Sequence, residues 1–188
     1  MRVVVGTKNP DKAAEVLAVL SRVLPDLEPI EGADWPDVAE TGSTLEENAV
    51  LKASAVAGHT GHSAVADDTG LEVDALGGAP GVRTARFAGE GATYAANRRS
   101  LLDALEGRTD RTARFRTVVA LVAPDGRVVT AEGVLEGRIA REERGAGGFG
   151  YDPIFEVDGR TLAEIGETEK NSMSHRARAL EALAERLR

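Results

Sequence analysis

Two long apolar segments joined by a tight turn, in the stretch ARFRTVVALVAPDGRVVTAEGVLEGRIA, set the strongest limit on how this chain folds. Their β-branched content predicts successive strands, and the Pro-Asp-Gly sequence predicts the turn that joins the first two. Segments with helical periodicity lie on both sides of them. This interleaving of helices and strands predicts an α/β fold with a mixed sheet, formed by a single domain over residues 1–188.

The first half of the chain begins with a strand and two helices. RVVVG, from Arg2 to Gly6, predicts a short buried strand, and the apolar stripe that follows predicts a helix. Asn9 is expected to cap this helix, with Pro10 in its first turn. A second helix is predicted to begin at Ser43, where STLE matches a capping box, and to end near Gly58.

The remaining elements follow from the same signals. SAVAD predicts a strand that breaks at DDTG, before a second extended piece, LEVDAL. YAANRRSLLDALEG predicts a helix that Gly107 closes, and SHRARALEALAERLR predicts a helix capped by Ser174.

Composition narrows the class of protein. The net charge of −8 argues against a long nucleic-acid partner, because such partners are held largely by basic residues. The absence of cysteine excludes a disulfide framework and a thiolate metal site. No signal peptide or membrane-spanning run is apparent in the sequence, so a cytoplasmic protein without membrane contact is expected.

A first cluster of polar residues, GTKNPDK, follows the first predicted strand. It brings Thr7, Lys8 and Asn9 to a helix N-terminus, where backbone N–H groups and the helix dipole favour an anion. Lys12 lies in the first helical turn, which prefers acidic residues, and a bound phosphate would explain it. The alternative is a capped helix with a solvated lysine. The segment lacks the GxxxxGK[ST] pattern of a P-loop.

A second cluster places two adjacent carboxylates, Asp67 and Asp68, after an apolar segment. Because side chains alternate along a strand, the two are expected to face different ways. Such a carboxylate suits Mg²⁺, which takes one or two protein carboxylates together with phosphate oxygens and water. Glu40 is a second candidate. The alternative for Asp67 and Asp68 is an ordinary Asp-rich turn, and the alternative for Glu40 is a surface loop residue.

A third cluster, GAGGFGYDPIF from Gly145 to Phe155, contains a formal G-x-G-x-x-G. It is not predicted to bind a dinucleotide, since no apolar strand precedes it and Pro153 disfavours a helix directly after it. We expect Phe149 and Tyr151 to offer flat faces to a base and Asp152 to accept hydrogen bonds from ring N–H groups. The alternative is a flexible surface loop.

A fourth cluster lies around the last predicted helix. Ser174 caps it, which places His175 and Arg176 in a first turn that disfavours positive charge, with Lys170 just upstream. This gathering of cations suggests an anion or an acceptor-rich ligand. The alternative is a neutral histidine in an ordinary capping turn.

Taken together, five segments resemble the inosine triphosphate pyrophosphatase family, also called non-canonical purine NTP pyrophosphatases or dITP/XTP pyrophosphatases. They are TKNPDK, ETGSTLEENAVLKA, ADDTGLEVDALGGAPGVRTARFAG, GGFGYDPIF and KNSMSHRARAL, in that order along the chain. The resemblance implies Mg²⁺-dependent hydrolysis of ITP, dITP or XTP to the monophosphate and pyrophosphate. It also implies a homodimer whose subunit has an elongated central mixed sheet flanked by helices, with the active-site cleft between two lobes.

The resemblance also implies roles for individual residues. Asp68 is the expected general base, and Glu40 and Asp68 are the expected metal ligands. The substrate-binding residues that it implies are Thr7, Lys8, Asn9, Pro10, Asp11, Lys12, Lys52, Thr69, Phe149, Gly150, Tyr151, Asp152, Lys170, His175 and Arg176.

Two other functions stay open at this point. A nucleotide-binding sensor would keep the base pocket without the chemistry, but it would not need both Asp68 and Glu40. A Maf-type pyrophosphatase acting on dTTP or UTP is the alternative enzyme, and GGFGYDPIF and SHR argue against it.

Overall fold

A computed structural model describes all 188 residues, Met1–Arg188. The strands are β1 (Arg2–Val5), β2 (Glu28–Pro29), β3 (Ser63–Val73), β4 (Pro80–Gly81), β5 (Thr112–Val122), β6 (Val128–Ile139), β7 (Phe155–Val157) and β8 (Arg160–Thr161). The α-helices are α1 (Pro10–Val23), α2 (Leu45–Thr60), α3 (Tyr94–Ala104), α4 (Glu167–Met173) and α5 (His175–Arg186). Two short 3₁₀ turns cover Asp74–Leu76 and Thr84–Arg86. None of the helices is long and apolar enough to cross a membrane.

The strands form one open, mixed sheet in the order β2-β1-β3-β5-β6-β7-β8, with β4 paired to β3. β1 runs parallel to both β2 and β3, with Val3 opposite Ser63. β4 pairs antiparallel with β3, and β7 pairs antiparallel with β6 and β8. The predicted α/β fold with a mixed sheet is therefore confirmed.

The chain divides into two compact units, and unit 1 consists of Met1–Asp68, Thr117–Val134 and Ser174–Arg188. Its core holds apolar residues of β1, α1 and α5, among them Val3, Leu20 and Leu183, all of them buried. These residues recur at helical spacing in α1 and α5, which gives each helix one apolar face to pack against the other elements.

Unit 2 consists of Thr69–Arg116 and Leu135–Met173 and has a core of its own. The rings of Phe115 and Phe155 lie 4.6 Å apart between centroids in this core. Leu101 of α3 and Tyr151 are buried in the same cluster.

The predicted break at DDTG is wrong, because β3 runs without interruption from Ser63 to Val73. Its first residues pair with β1, and Leu71 and Glu72 pair with β4. Pairing along both parts of the strand outweighs the local turn preference of the Asp-Asp-Thr-Gly sequence. Both aspartates therefore lie within a strand, not in a turn.

Helix boundaries differ by a few residues from those predicted. The capping box of α2 uses Thr44 and Glu47, one residue later than expected, and the helix extends to Thr60 before Gly61 closes it. The Glu47 carboxylate also accepts hydrogen bonds from the backbone N–H and the hydroxyl of Ser43. α3 ends at Ala104, and Gly107 takes a positive φ in the turn that follows.

Candidate active site

The loop between β1 and α1 is built around the side chain of Asn9. Its Oδ1 accepts hydrogen bonds from the backbone N–H groups of Asp11 and Lys12, at 3.0 and 3.3 Å. Thr7 Oγ1 in turn accepts from the Asn9 backbone N–H at 3.2 Å. Pro10 opens α1 and has no N–H to donate. The Asp11 and Lys12 N–H groups are therefore already bonded within the loop, and the helix dipole and the side chains remain to attract an anion.

Two lysines of this segment have carboxylate partners. Lys8 is exposed and bonds Asp37 at 2.6 Å, while Asp11 is also exposed. The Lys12 ammonium lies 3.6 Å from the buried carboxylate of Asp67. Asp67 therefore gives Lys12 a buried counter-charge at this helix N-terminus.

Lys52, on α2, draws together the two predicted metal ligands. Its ammonium donates to Glu40 Oε1 at 2.8 Å and to Asp68 Oδ1 at 3.2 Å. The other oxygen of Asp68 accepts a hydrogen bond from the Asn48 amide at 3.1 Å. Two carboxylates from separate segments therefore converge on one cationic group.

Asp67 has a different set of partners. Its Oδ2 accepts from the Arg176 guanidinium at 3.1 Å, and the same guanidinium bonds Glu15. Asp67, Glu15 and Arg176 are all buried. The expectation that the adjacent aspartates face different ways agrees with these separate partners.

The two aspartates have opposite pKa shifts. Burial raises the pKa of Asp68, and the positive charge of Lys52 only partly offsets this effect. Burial favours a higher pKa for Asp67 as well. The cations Lys12, Arg176 and Lys52 outweigh burial, so the pKa of Asp67 lies well below its ordinary value. Adjacent carboxylates with pKa values pushed apart are suited to different tasks, Asp67 as a permanent counter-ion and Asp68 as a proton acceptor.

The N-terminus of α5 is buried against β5 and β6. His175 Nδ1 and Thr117 Oγ1 share a hydrogen bond of 2.6 Å. A Cβ at Gly133 would collide with the His175 carbonyl oxygen, so glycine allows this close approach. His175 and Arg176 thus lie in unit 1, where each has a polar partner within the protein.

In unit 2, Asp152 holds together the glycine-rich segment. Its Oδ2 accepts hydrogen bonds from the Phe149 backbone N–H at 2.8 Å and from the Lys170 ammonium at 2.5 Å. Asp152 and Lys170 are buried. A Cβ at Gly148, where φ is +68°, would collide with the same carboxylate. The segment is therefore a turn closed on its own acidic side chain.

The two aromatic residues of this turn differ in what they can offer to a base. Tyr151 is buried, and its hydroxyl donates to the Thr84 carbonyl at 2.8 Å. Phe149 is half-buried, with the Lys170 ammonium 4.9 Å from its ring centre and the Tyr94 ring 6.0 Å away. The expectation that Tyr151 offers a face to a base is wrong, because its ring is buried in the core of unit 2. Phe149 lies partly at the surface.

Gly150 and Thr69 complete the predicted set in unit 2. The Gly150 carbonyl accepts from Arg98 at 2.9 Å, and Arg98 also bonds both carboxylate oxygens of Glu143. Thr69 is half-buried in β3.

Several polar residues that hold these groups were missed from the sequence. Asn48, Glu15, Thr117 and Arg98 each contact a predicted site residue. Asn48 and Glu15 lie among the buried residues of their helices, where a polar side chain on the apolar face is the available signal. That signal becomes visible once the helical phase is known.

The site around Glu40 and Asp68 fits a magnesium ion better than a metal that needs three or four protein ligands. No group of three or more His, Cys, Asp or Glu side chains is arranged to hold a metal. Glu40 and Asp68 are oxygen donors that converge on a cation, Lys52. Mg²⁺ commonly takes one or two protein carboxylates and completes its shell with phosphate oxygens and water.

A pocket of about 660 Å³ lies elsewhere in unit 2. It is lined by residues at the ends of β5, β6 and β7 that include Arg111, Glu136 and Asp158. None of the predicted site residues lines it, and its walls mix charges of both signs. The chemistry of the side chains therefore identifies the candidate site better than the volume of the pocket does.

Known proteins are similar to this chain over its whole length. The Ham1 family model matches residues 3–186. A dITP/XTP pyrophosphatase of Elusimicrobium minutum is 48% identical over 197 residues, covering 100% of both chains. Another, of Leifsonia xyli, is 50% identical over 192 residues, covering 100% of this chain and 96% of the other.

Solved structures give the same result. A HAM1 protein from Coxiella burnetii superposes with a TM-score of 0.88 at 44% identity, covering 100% of this chain and 98% of the other. The family resemblance inferred from the five sequence segments is confirmed by these matches. The chain belongs to the Ham1 family.

Proposed function

We propose that this protein hydrolyses non-canonical purine nucleoside triphosphates (ITP, dITP and XTP) to the monophosphate and pyrophosphate, and so removes them from the nucleotide pool. The observation that carries the proposal is the pair of carboxylates, Asp68 and Glu40, gathered on Lys52. Relatives about half identical over the full chain are named dITP/XTP pyrophosphatases, which supports the same activity.

Asp68 acts as the general base. Burial raises the pKa of this carboxyl, which makes it a better proton acceptor than an exposed aspartate. Its two oxygens are held by Lys52 and Asn48, so its orientation is set before the substrate arrives. Asp68 takes the proton of the water that attacks phosphorus, and pyrophosphate leaves.

Lys12 and Lys52 neutralise the phosphates. Both side chains are largely buried, at 22% and 12% exposed, and a charge in such a place is screened less than one in bulk water. Glu40 and Asp68 would hold Mg²⁺, which would supply further charge neutralisation at the phosphates. The Asn9 cap marks the N-terminal end of α1, where the helix dipole favours anionic oxygens.

The purine base is read by the turn closed on Asp152. Hypoxanthine and xanthine carry a 6-oxo acceptor and an N1–H donor, whereas adenine carries an amino donor and a bare N1. Lys170 is a donor for the oxo group, the Asp152 carboxylate is an acceptor for a ring N–H, and Phe149 offers a face for stacking. Adenine would place its amino donor against the Lys170 ammonium and its bare N1 against the Asp152 carboxylate, so donor would face donor and acceptor would face acceptor, which disfavours it.

The remaining substrate contacts of the proposal come from the family resemblance. They are Thr7, Lys8, Pro10, Asp11, Thr69, Gly150, Tyr151, His175 and Arg176. Two of these are buried and support the site from within the protein: Tyr151 bonds the Thr84 carbonyl, and Arg176 bonds the Asp67 carboxylate. A homodimer located in the cytoplasm is proposed on the same ground.

Pyrophosphate release from dITP, XTP, GTP, ATP and dTTP in the presence of Mg²⁺ tests the function. We expect dITP and XTP to be turned over with kcat/KM at least about a hundredfold above ATP, because a site that bonds specific polar groups rejects analogues strongly. Preferred hydrolysis of dTTP would indicate a Maf-type enzyme. Tight binding of dITP without turnover would indicate a sensor.

A further inference from the structure

Asn48 is a buried amide whose two ends contact different parts of the candidate active site. It lies on α2, is fully buried, and uses Nδ2 to donate to Asp68 Oδ2 at 3.1 Å. Its Oδ1 accepts the backbone N–H of Gly42 at 2.8 Å. Only a side chain that donates at one end and accepts at the other can make both bonds.

These two bonds close a ring of contacts around the carboxylates. Gly42 lies two residues after Glu40, which bonds Lys52, and Lys52 bonds the other oxygen of Asp68. Asn48 and Lys52 are four residues apart on α2, so they face the same side of the helix. One helical turn therefore holds Asp68 directly and holds the Glu40 loop at two points.

The loop lies directly on the amide. A Cβ at Gly42 would come within 2.6 Å of Asn48 Oδ1 and 2.7 Å of Glu47 Cβ. Both distances are shorter than real carbon contacts, so any larger residue would push the loop off the helix. Glycine at position 42 and asparagine at position 48 thus form one joint.

We propose that Asn48 is a positioning residue that fixes the orientation of Asp68 and the placement of Glu40 relative to it. The inference rests on the proposed function, since it assigns Asn48 to the same chemistry. Asn48 touches neither substrate nor water in this role and acts through the two carboxylates. Removal of a group that orients acidic metal ligands in this way commonly lowers metal affinity or activity by roughly 10–100-fold.

The experiment compares Asn48→Ala and Asn48→Asp with wild type, using dITP and Mg²⁺. We expect kcat to fall about 10–100-fold in both variants, while KM for dITP changes less than about threefold, because the lysines that hold the phosphates remain. Asn48→Asp keeps an acceptor for Gly42 but places a second carboxylate against Asp68. Mn²⁺ affinity, measured by EPR with a non-hydrolysable nucleotide present, should fall in both.

Asn97→Ala is the matched control. Asn97 is equally buried, but its amide bonds only backbone groups, the Ala85 carbonyl at 2.9 Å and the Ala88 N–H at 2.8 Å. It should lower the melting temperature as Asn48→Ala does and leave kcat and Mn²⁺ affinity unchanged. Should Asn48→Ala fail to fold, Gly42→Ala disturbs the same joint with every active-site side chain retained.

The outcomes separate this inference from the proposed function. A wild-type protein that releases no pyrophosphate from any purine triphosphate contradicts the proposed function itself. An active wild type, together with Asn48→Asp and Gly42→Ala variants that keep wild-type kcat and Mn²⁺ affinity, overturns the role of Asn48. A drop in kcat equal to that of Asn97→Ala also overturns it.

Discussion

Two adjacent aspartates in one strand carry out different tasks because of their neighbours. Asp67 is enclosed by Arg176, Lys12 and Lys52, and its pKa is lowered despite burial. Asp68 is also buried but has fewer cations around it, so its pKa is raised. The same residue type is thus a structural counter-ion at one position and a candidate base at the next.

Replacing each aspartate by asparagine should separate these tasks. Asp68→Asn should lower kcat about 10²–10⁴-fold with little change in folding, because a general base is lost. Asp67→Asn should lower the free energy of unfolding by about 3–5 kcal/mol, because Arg176 loses a buried partner. Steady-state kinetics and urea unfolding measure the two effects.

Asp67→Asn is also the control for Asp68→Asn, since it makes the same chemical change at a neighbouring buried position. An Asp68→Asn variant that retains more than about a tenth of wild-type kcat would remove Asp68 as the base. A marginal change in stability for Asp67→Asn would contradict its role as counter-ion to Arg176.

At the scale of residues, sequence reasoning identified the chemical groups better than their surroundings. The Asp68 and Glu40 carboxylates and Lys52 do lie together. The burial of Tyr151 could not be predicted, because an aromatic residue beside glycines fits a surface loop and a core edge equally well. Only the position of the Thr84 carbonyl determines which way that hydroxyl points.

Helix α2 is the element that carries most of the support for the carboxylates, since Asn48 and Lys52 both lie on it. It is also anchored by Ala49, Ala53 and Val56, all of them fully buried. At its N-terminus the Thr44 hydroxyl accepts the Glu47 N–H at 3.1 Å, and the Glu47 carboxylate accepts the Thr44 N–H in return. Packing holds the helix in place, and the capping box stabilises its first turn.

Thr44→Ala should therefore affect stability more than catalysis. The loss of an N-cap side chain costs about 1 kcal/mol, while the buried face keeps Asn48 and Lys52 in position. The measurements are the free energy of unfolding in urea and kcat for dITP.

Thr93→Ala provides the comparison, because Thr93 caps α3 through a similar bond to the Ala96 N–H at 3.1 Å. The two variants should lose similar stability. A loss of kcat beyond about tenfold in Thr44→Ala alone would show that the cap, and not packing, positions the catalytic side chains.

At the scale of elements, periodicity and capping residues predicted the long helices and the β5–β6 hairpin. The short strands β2, β4, β7 and β8 have two or three residues each, too few to show any alternation. They exist because a neighbouring strand edge pairs with them. The unbroken β3 has the same cause, since its neighbours in the sheet, β1 and β5, come from distant parts of the chain.

The whole molecule carries a net charge of −8, and its proposed substrate is also strongly negative. In the proposed reaction a divalent cation would therefore assist the approach of the substrate as well as the chemistry. The active-site carboxylates already have Lys52 as a partner, so we expect the fold to be stable without that cation.

Chelation of divalent ions by EDTA should accordingly abolish pyrophosphate release, and added Mg²⁺ should restore it. The melting temperature without nucleotide should stay within about 2 °C, because a loss of 1 kcal/mol would shift it by roughly 2–4 °C in a protein of this size. Undiminished turnover in EDTA would contradict the proposed metal dependence. A large fall in melting temperature would point to a structural metal instead.

The segments of unit 1 are synthesised at widely separated times. The core that contains Val3 and Leu20 also contains Leu180 and Leu183 of α5, which follow all of unit 2 in the chain. During synthesis the first strand and helix emerge long before the helix that covers them, and their apolar faces stay uncovered meanwhile. A nascent chain halted before Ser174 therefore lacks the helix that completes this core, which leaves these apolar residues accessible to chaperones and proteases.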